Sequence, residues 1–214
     1  VGFSDVLHQE MLGPLGQDRY KEYAGDINTS GKHLLDLIND ILDVAKIEAG
    51  AFEPNDEIVD LSNLITDSVR LIEHRAQARS QMLSLELDHH LPDLRVDRRA
   101  VKQVLLNLIT NAVKFTPEGG RITIMSGRGE AGDVKITVRD TGPGIDEKEI
   151  ALVMRPFGRL ESPWTQSEEG TGLGLPLSDM LIRAHEGHLL IDSLPGEGTS
   201  VIVVFPAERV IDEQ

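Results

Sequence analysis

Three stretches of this sequence combine residue types and spacings that could do chemistry. Asp140–Ile145, DTGPGI, closes a run in which Val134, Ile136 and Val138 alternate with polar residues. It precedes a helix start marked by the capping-box pair Asp146 and Glu149. A carboxylate thus ends a strand. Gly142 and Gly144 let the backbone turn tightly and lie against a flat ligand, while ionised Asp140 can only accept hydrogen bonds. An exocyclic amine such as that of adenine suits this arrangement, and so does an ordinary strand-to-helix turn. The second stretch holds Asn107 and Asn111, four apart on one helix face, with Lys114 on the same side. Amide oxygens are acceptable ligands for magnesium, and lysine offers a point charge to phosphates; two asparagines on a solvated face have the same spacing. The third stretch is Gly170–Leu175, GTGLGL, opening onto an apolar periodic run. Glycines at a helix start present free N–H groups and the positive dipole end to an anion, here a triphosphate. Neither the dinucleotide fingerprint nor the Walker pattern is present. Between Phe157 and Gly170, RLESPWTQSEE lacks periodicity and reads as a mobile lid, with Arg159 at its base able to reach a terminal phosphate.

These residues need elements to hold them. A helix from Asp97 to Phe115 carries the asparagines, with Val104, Leu105 and Leu108 as its buried side. Two hairpins are expected, Gly120–Ser126 with Val134–Asp140 and Leu189–Ser193 with Ser200–Phe205. Phe52–Val59 and Met82–Leu87 read as strands, with a helix from Asp60 to about Arg79 between them. Strands and helices alternate without a regular repeat, so the expected fold is α+β, a two-layer sandwich of a mixed sheet with helices on one face. Residues from about Glu208 read as a loose tail.

Residues 1–50 form a different unit. Val1 to Leu12 reads as the tail of a helix, and Gly13, Pro14 and Gly16 mark a turn. Tyr20, Ala24, Ile27, Gly31, Leu34, Ile38, Ile41 and Ala45 then follow steps of four and three, a heptad seam stopped by Gly50. Leu35, Leu37, Leu42 and Val44 widen the stripe, so this helix needs cover on more than one side. A bundle made by two chains provides it, as does packing on the chain's own domain.

Composition narrows the function classes. With 214 residues, 40% hydrophobic and 27% charged, the chain can bury a real core. A net charge of −15 argues against nucleic-acid binding and polybasic membrane attachment, since both need positive surfaces. The absence of cysteine excludes disulfides, thiolate catalysis and cysteine metal sites. No apolar run approaches a membrane span.

In this order the motifs resemble those of sensor histidine kinases of two-component systems, in the GHKL superfamily. LLNLITNAVKFTPEGG is similar to the N box, DTGPGI to the first glycine box, MRPFGRLE to the F box, GTGLGL to the second glycine box and GEGTSVIVVFP to the closing strand motif. Upstream, DVAKIEAG is similar to the end of the second dimerisation helix. The wording of MLGPLG and HLLDLINDILDVAKIEAG is similar to kinases of alphaproteobacterial developmental signalling.

The resemblance implies a Bergerat-type ATP-binding domain over 51–214, preceded over 1–50 by a helical hairpin that forms a dimeric four-helix bundle in the intact protein. It implies ATP and Mg2+ as ligands, with Asp140 accepting the adenine amine, Asn111 on magnesium and Asn107, Lys114 and Arg159 serving phosphoryl transfer. Phe115, Phe157, Gly142, Gly144 and Thr199 would line the nucleotide, and Gly170, Thr171, Gly172, Leu173 and Gly174 would cradle its phosphates. The implied reaction moves the γ-phosphoryl group to a histidine and on to the receiver domain of a response regulator, in a cytoplasmic segment whether or not the intact protein is membrane-anchored. The acceptor histidine is expected about three helical turns before Val1. His8, His33, His185 and His188 do not substitute for it, the last two being expected to flank a strand. A pseudokinase or scaffold signalling by contact shares these motifs. So does a GHKL-type ATPase related to gyrase or mismatch-repair proteins, which the heptad helix and its KIEAG ending disfavour.

Overall fold

The computed structural model describes residues 2–11, 13–16, 18–160 and 170–211. The chain divides into two compact units, Val1–Ala45 and Lys46–Gln214.

The first unit is a helical hairpin. Helix α1 (Gly2–His8) folds back on α2 (Asp18–Glu48), whose last turn belongs to the second unit. Asn28 Nδ2 donates to Ser4 Oγ at 3.3 Å and to Asp5 Oδ1 at 3.4 Å, and both Ser4 and Asn28 are buried. Gly25 allows the His8 ring to approach, since a Cβ there would lie 3.0 Å from it. Ala24 is covered, but Tyr20, Ile27, Leu34, Ile38 and Ile41 are between 40% and 63% exposed. The heptad seam is therefore a real helix, and within the hairpin its apolar side is covered at Ala24.

The second unit begins with β1 (Glu57–Val59) and α3 (Leu61–Ala78), which Asp60 caps by accepting from Asn63 N–H at 2.8 Å. There follow β2 (Met82–Leu87), β3 (Asp93–Val96), α4 (Arg98–Phe115), β4 (Arg121–Arg128), β5 (Val134–Asp140) and α5 (Glu147–Val153). After the undescribed residues 161–169 come α6 (Gly174–Ala184), β6 (His188–Leu194), β7 (Gly198–Phe205) and β8 (Val210–Ile211). Five strands make one mixed sheet in the order β2-β4-β5-β7-β6. Only the β2–β4 pair in it is parallel. The period-2 pattern sends Ile122, Ile124, Ile136, Val138 and Val203 to one face, where they are buried. The 3.6-residue stripes of α3, α4 and α6 supply Leu64, Ile65, Leu105, Leu108, Ile109, Leu177 and Leu181 to the same core. Each such side chain contributes about 1.5–3 kcal/mol by leaving water. The expected α+β sandwich is thus the observed fold.

Three local expectations need correction. The strand expected over 52–59 shrinks to Glu57–Val59, because Pro54 has no N–H for a ladder and the Asn55 N–H is taken by Asp97 Oδ2 at 3.0 Å. Strand β4 runs through Gly127 to Arg128, paired with Lys135 and Val134, so the hairpin loop shortens to 129–133. The expected tail is partly ordered. Residues Ala207–Arg209 form a 3-10 turn and β8 joins β1 and β3 in a small second sheet. Arg209 holds this end through Asp56, Glu186 and the Arg95 carbonyl. Residues 212–214 lie outside the described residues.

Candidate functional site

Asp140 ends β5 and is only 8% exposed. Its Oδ1 accepts the Gly142 N–H at 2.7 Å, and the Thr199 N–H also donates to the carboxylate. Burial raises the carboxyl pKa above its ordinary value, and the two N–H donors, from Gly142 and Thr199, oppose that shift without cancelling it. Thr199 on β7 stands directly across from Asp140 in the ladder, so both present their side chains to the same face. The turn after Asp140 lies against the end of α4: a Cβ on Gly142 would come within 2.9 Å of the Phe115 carbonyl oxygen. Gly144, at φ +71°, runs so close to the Leu194 carbonyl that no side chain fits. Behind the turn, Ser193 Oγ accepts the Ile145 N–H at 2.8 Å and lies 2.9 Å from both the Gly198 carbonyl and Thr199 Oγ1.

Helices α4 and α6 position a second, more polar end of the site. The α4 start is capped by Asp97, which accepts from Arg99 N–H at 2.9 Å and Ala100 N–H at 3.1 Å. Burial acts to raise the Asp97 pKa, but the backbone N–H donors of Ala100, Asn55 and Arg99 outweigh it and bring the pKa below the usual value. His185, at the end of α6, is fully buried. Its Nε2 accepts the Asp97 backbone N–H at 3.0 Å, which fixes the proton on Nδ1, where it is donated to the Leu181 carbonyl at 2.7 Å. The ring also meets Phe205 edge-on. At the other end of the pair, Asn107 Nδ2 donates to the Gly174 carbonyl at 3.4 Å. The two helices, antiparallel, are tied at both ends. This sets the glycine run beside the polar row of α4.

The contacts there are close. A Cβ on Gly170 would lie 2.6 Å from Lys114 Nζ, and one on Gly174 would lie 3.7 Å from Asn111 Nδ2 and 3.8 Å from Asn107 Cγ. Lys114 Nζ also lies 4.9 Å from the Phe115 ring centroid. Leu173 is buried, and its N–H donates to Thr171 Oγ1 at 3.2 Å. Among the described residues no side chain caps α6, which leaves the Gly174 and Leu175 N–H groups able to meet an acceptor, while Pro176 in the same turn has no N–H. The Gly172 carbonyl accepts the N–H of Phe157, an exposed residue at φ +63°. Positive φ at a bulky residue costs about 1–3 kcal/mol and is held here by that bond.

Asn107, Asn111 and Lys114 are therefore brought to Gly170–Gly174, and Asp140, Gly142, Phe115 and Thr199 to one another. Arg159 is exposed on the stretch leading to residue 161. The lid expected over 158–169 lies, from residue 161 on, outside the described residues. Two contributors escaped the sequence reading, Ser193 and His185. Ser193 lies at an inward position, two residues past Ile191 on β6, a signal visible only once the strand's register is known. His188 does begin β6, as expected, but His185 is a buried tie between helices. Among the described residues, no helix is long and apolar enough to cross a membrane, and no cluster of three or more His, Asp or Glu could hold a metal ion. A magnesium ion could be met here by an amide oxygen. Asn107 fits that role, since its Nδ2 is spent on Gly174 and its Oδ1 is left as an acceptor.

Residues 96–209 match the sequence pattern of the family described as histidine kinase-, DNA gyrase B-, and HSP90-like ATPase. The non-motile and phage-resistance protein of Caulobacter vibrioides is 47% identical over 211 residues, covering 97% of this chain and 25% of that protein. The cell-division control histidine kinase PdhS of Brucella suis is 41% identical over 219 residues, covering 99% of this chain and 21% of that kinase. The chain thus spans a quarter or less of the length of these curated relatives. Among solved structures, full-length ShkA in complex with AMPPNP superposes with a TM-score of 0.83 at 28% identity, over 99% of this chain and 43% of that one.

Proposed function

The chain belongs to the family of histidine kinase-, DNA gyrase B-, and HSP90-like ATPases, and on that premise we propose that it binds ATP with magnesium as the catalytic part of a histidine kinase. The observation that carries this reading is the meeting of two motifs some sixty residues apart, Asn107, Asn111 and Lys114 with Gly170–Gly174. Two side-chain amides, an ammonium and the start of α6 converge on one place, groups that together suit a metal-bound polyphosphate. Asp140 with Thr199 forms the base-binding end, and Gly142 and Gly144 let the turn beside it pack against the Phe115 and Leu194 carbonyls. Phe115, Phe157 and Arg159 complete the set, with Arg159 on the outermost phosphate.

Transfer of the γ-phosphoryl group to a histidine needs no covalent step on these residues. Lys114 and the α6 amides would hold the phosphates in line and neutralise developing charge. Asn111 would hold magnesium, with Asn107 oriented beside it, and the ion would supply charge neutralisation and orientation of phosphate oxygens. Residues 1–50 act as the dimerisation hairpin, joining two copies through the exposed side of α2, and 51–214 act as the catalytic domain. The partner downstream is the receiver domain of a response regulator, the usual acceptor for the histidine kinases that this chain resembles.

Calorimetric titration of ATP with and without magnesium tests the reading. The parent chain should bind, and Asn111→Ala should lose the magnesium-dependent increment while keeping its fold. Binding by Asn111→Ala that is as magnesium-dependent as the parent's would remove Asn111 from the metal. ATP binding without label transfer to a histidine-containing hairpin would favour the pseudokinase.

A further inference from the structure

Ser193 is a buried hydroxyl that the nucleotide reading above leaves without a role. It lies on β6 directly across from Thr199 on β7, and Thr199 in turn lies directly across from Asp140 on β5. The three polar side chains therefore form one row across adjacent strands on the inner face.

The row's protons can be counted. Ser193 Oγ has one hydrogen and faces three partners. The Gly198 carbonyl, 2.9 Å away, can only accept, so it takes the Ser193 proton. The Ile145 N–H, 2.8 Å away, can only donate, so it occupies one Ser193 lone pair. Thr199 Oγ1, 2.9 Å away, is left as a donor to the other lone pair. If Ser193 instead gave its proton to Thr199, two oxygens would face each other at 2.9 Å without a hydrogen between them. Ser193 thus fixes the direction of the Thr199 hydroxyl, which turns its proton inward and its lone pairs outward. The Asp140 carboxylate, which accepts the N–H groups of Gly142 and Thr199, is also an acceptor.

We infer that Ser193 is a specificity-determining positioning residue: by taking the Thr199 proton it makes the base-binding end a pair of acceptors that selects a 6-amino purine over a 6-oxo purine. This rests on the assignment of Asp140 and Thr199 to the base. Adenine offers two amine hydrogens at position 6, matching two acceptors. Hypoxanthine and guanine put a carbonyl oxygen there, which meets two lone-pair donors and gains nothing. A Thr199 hydroxyl free to rotate would present its proton to that carbonyl and weaken the discrimination. Ser193 also ties the Ile145 end of the DTGPGI turn to the same row, so one hydroxyl sets both the turn and the proton direction.

The test is the ratio of affinities for ATP and inosine triphosphate, both with magnesium, measured by calorimetry on the whole chain. The ratio is the readout because Ser193→Ala also strips partners from Ile145 and Gly198 and will weaken both nucleotides together. In Ser193→Ala the ATP preference should fall about tenfold, the discrimination of one hydrogen bond, and Ser193→Thr should retain the parent ratio. An unchanged ratio in Ser193→Ala, with both affinities lowered equally, would overturn the inference and leave Ser193 a structural spacer. Should Ser193→Ala not fold by circular dichroism, Thr199→Val decides: loss of the acceptor oxygen must lower the ratio, and an unchanged ratio overturns the inference. A parent chain that binds neither nucleotide would defeat the nucleotide reading and this inference with it. A parent that binds ATP while Ser193→Ala keeps its ratio would defeat only the role of Ser193.

Discussion

Helices α2 and α4 carry apolar residues at the same helical spacing, and the structure treats them in opposite ways. On α4, Val101, Val104, Leu105, Leu108, Ile109 and Ala112 are buried against the sheet and its neighbouring helices. On α2, Leu34, Leu35, Ile38, Ile41 and Leu42 are exposed. A periodic apolar stripe states that a face needs cover, but it does not state who supplies the cover. For α4 it is the second unit itself; for α2 beyond Asn28 the proposed dimer would provide it.

The sharpest way to separate the two helices is to shorten one side chain on each. Leu108→Ala should destabilise the second unit by about 2–5 kcal/mol, because a buried leucine leaves both lost transfer energy and a cavity; urea unfolding measures it. A loss as small as that of a surface change would mean that α4 is not the core helix. On α2, Ile38→Ser with Ile41→Ser should leave that unfolding within about 0.5 kcal/mol. The same pair should abolish self-association in sedimentation velocity, and a monomeric parent would defeat the proposed dimer.

Between those extremes lie changes at the polar residues that α4 and the sheet position. Asp140→Asn turns an acceptor into a donor facing the base amine and should cost about 1–3 kcal/mol of ATP binding, read by calorimetry. An unaltered affinity would remove Asp140 from the base. Acid provides a second approach, since the folded pKa of Asp140 lies above the ordinary 3.8 through burial. ATP affinity should fade as pH drops through that raised value, and Asp140→Asn should show no such step. For the fold alone the sign is opposite: Asp140 favours the folded state below its unfolded pKa, and this contribution is lost as pH rises through the folded one.

Asp97 gives the smaller effect. Asp97→Ala should cost about 0.5–2 kcal/mol as a lost helix cap. The folded pKa of Asp97 is lowered, so its contribution is present above the unfolded value and disappears as pH falls through the lowered one. Stability curves of parent and variant should therefore converge in acid. Curves that stay parallel would mean that the cap works without its charge.

Local order was legible wherever the signal is short-range. Asp60 and Asp97 announce the helices they cap, and the alternation of Val134, Ile136 and Val138 announces β5, because a cap or a period of two involves only residues within a turn or a pleat. The glycine stretches and the Asn107–Asn111 spacing were legible for the same reason, and with them the family. Strand β3 and strand β8 were not, since four and two residues carry no period and form only because β1, β3 and β8 find one another across the chain.

What the sequence by itself determined is the set of groups capable of chemistry and the helices and strands that bear them. Tertiary structure alone decided which groups meet. Lys114 reaches Gly170, and Asp97 reaches His185, only because α4 and α6 pack antiparallel and are tied at both ends. Thr199 acquires an orientation only because the register of three strands sets it between Ser193 and Asp140. Those pairings depend on the closure of a shared core between segments tens of residues apart, and no periodicity within a single segment encodes it.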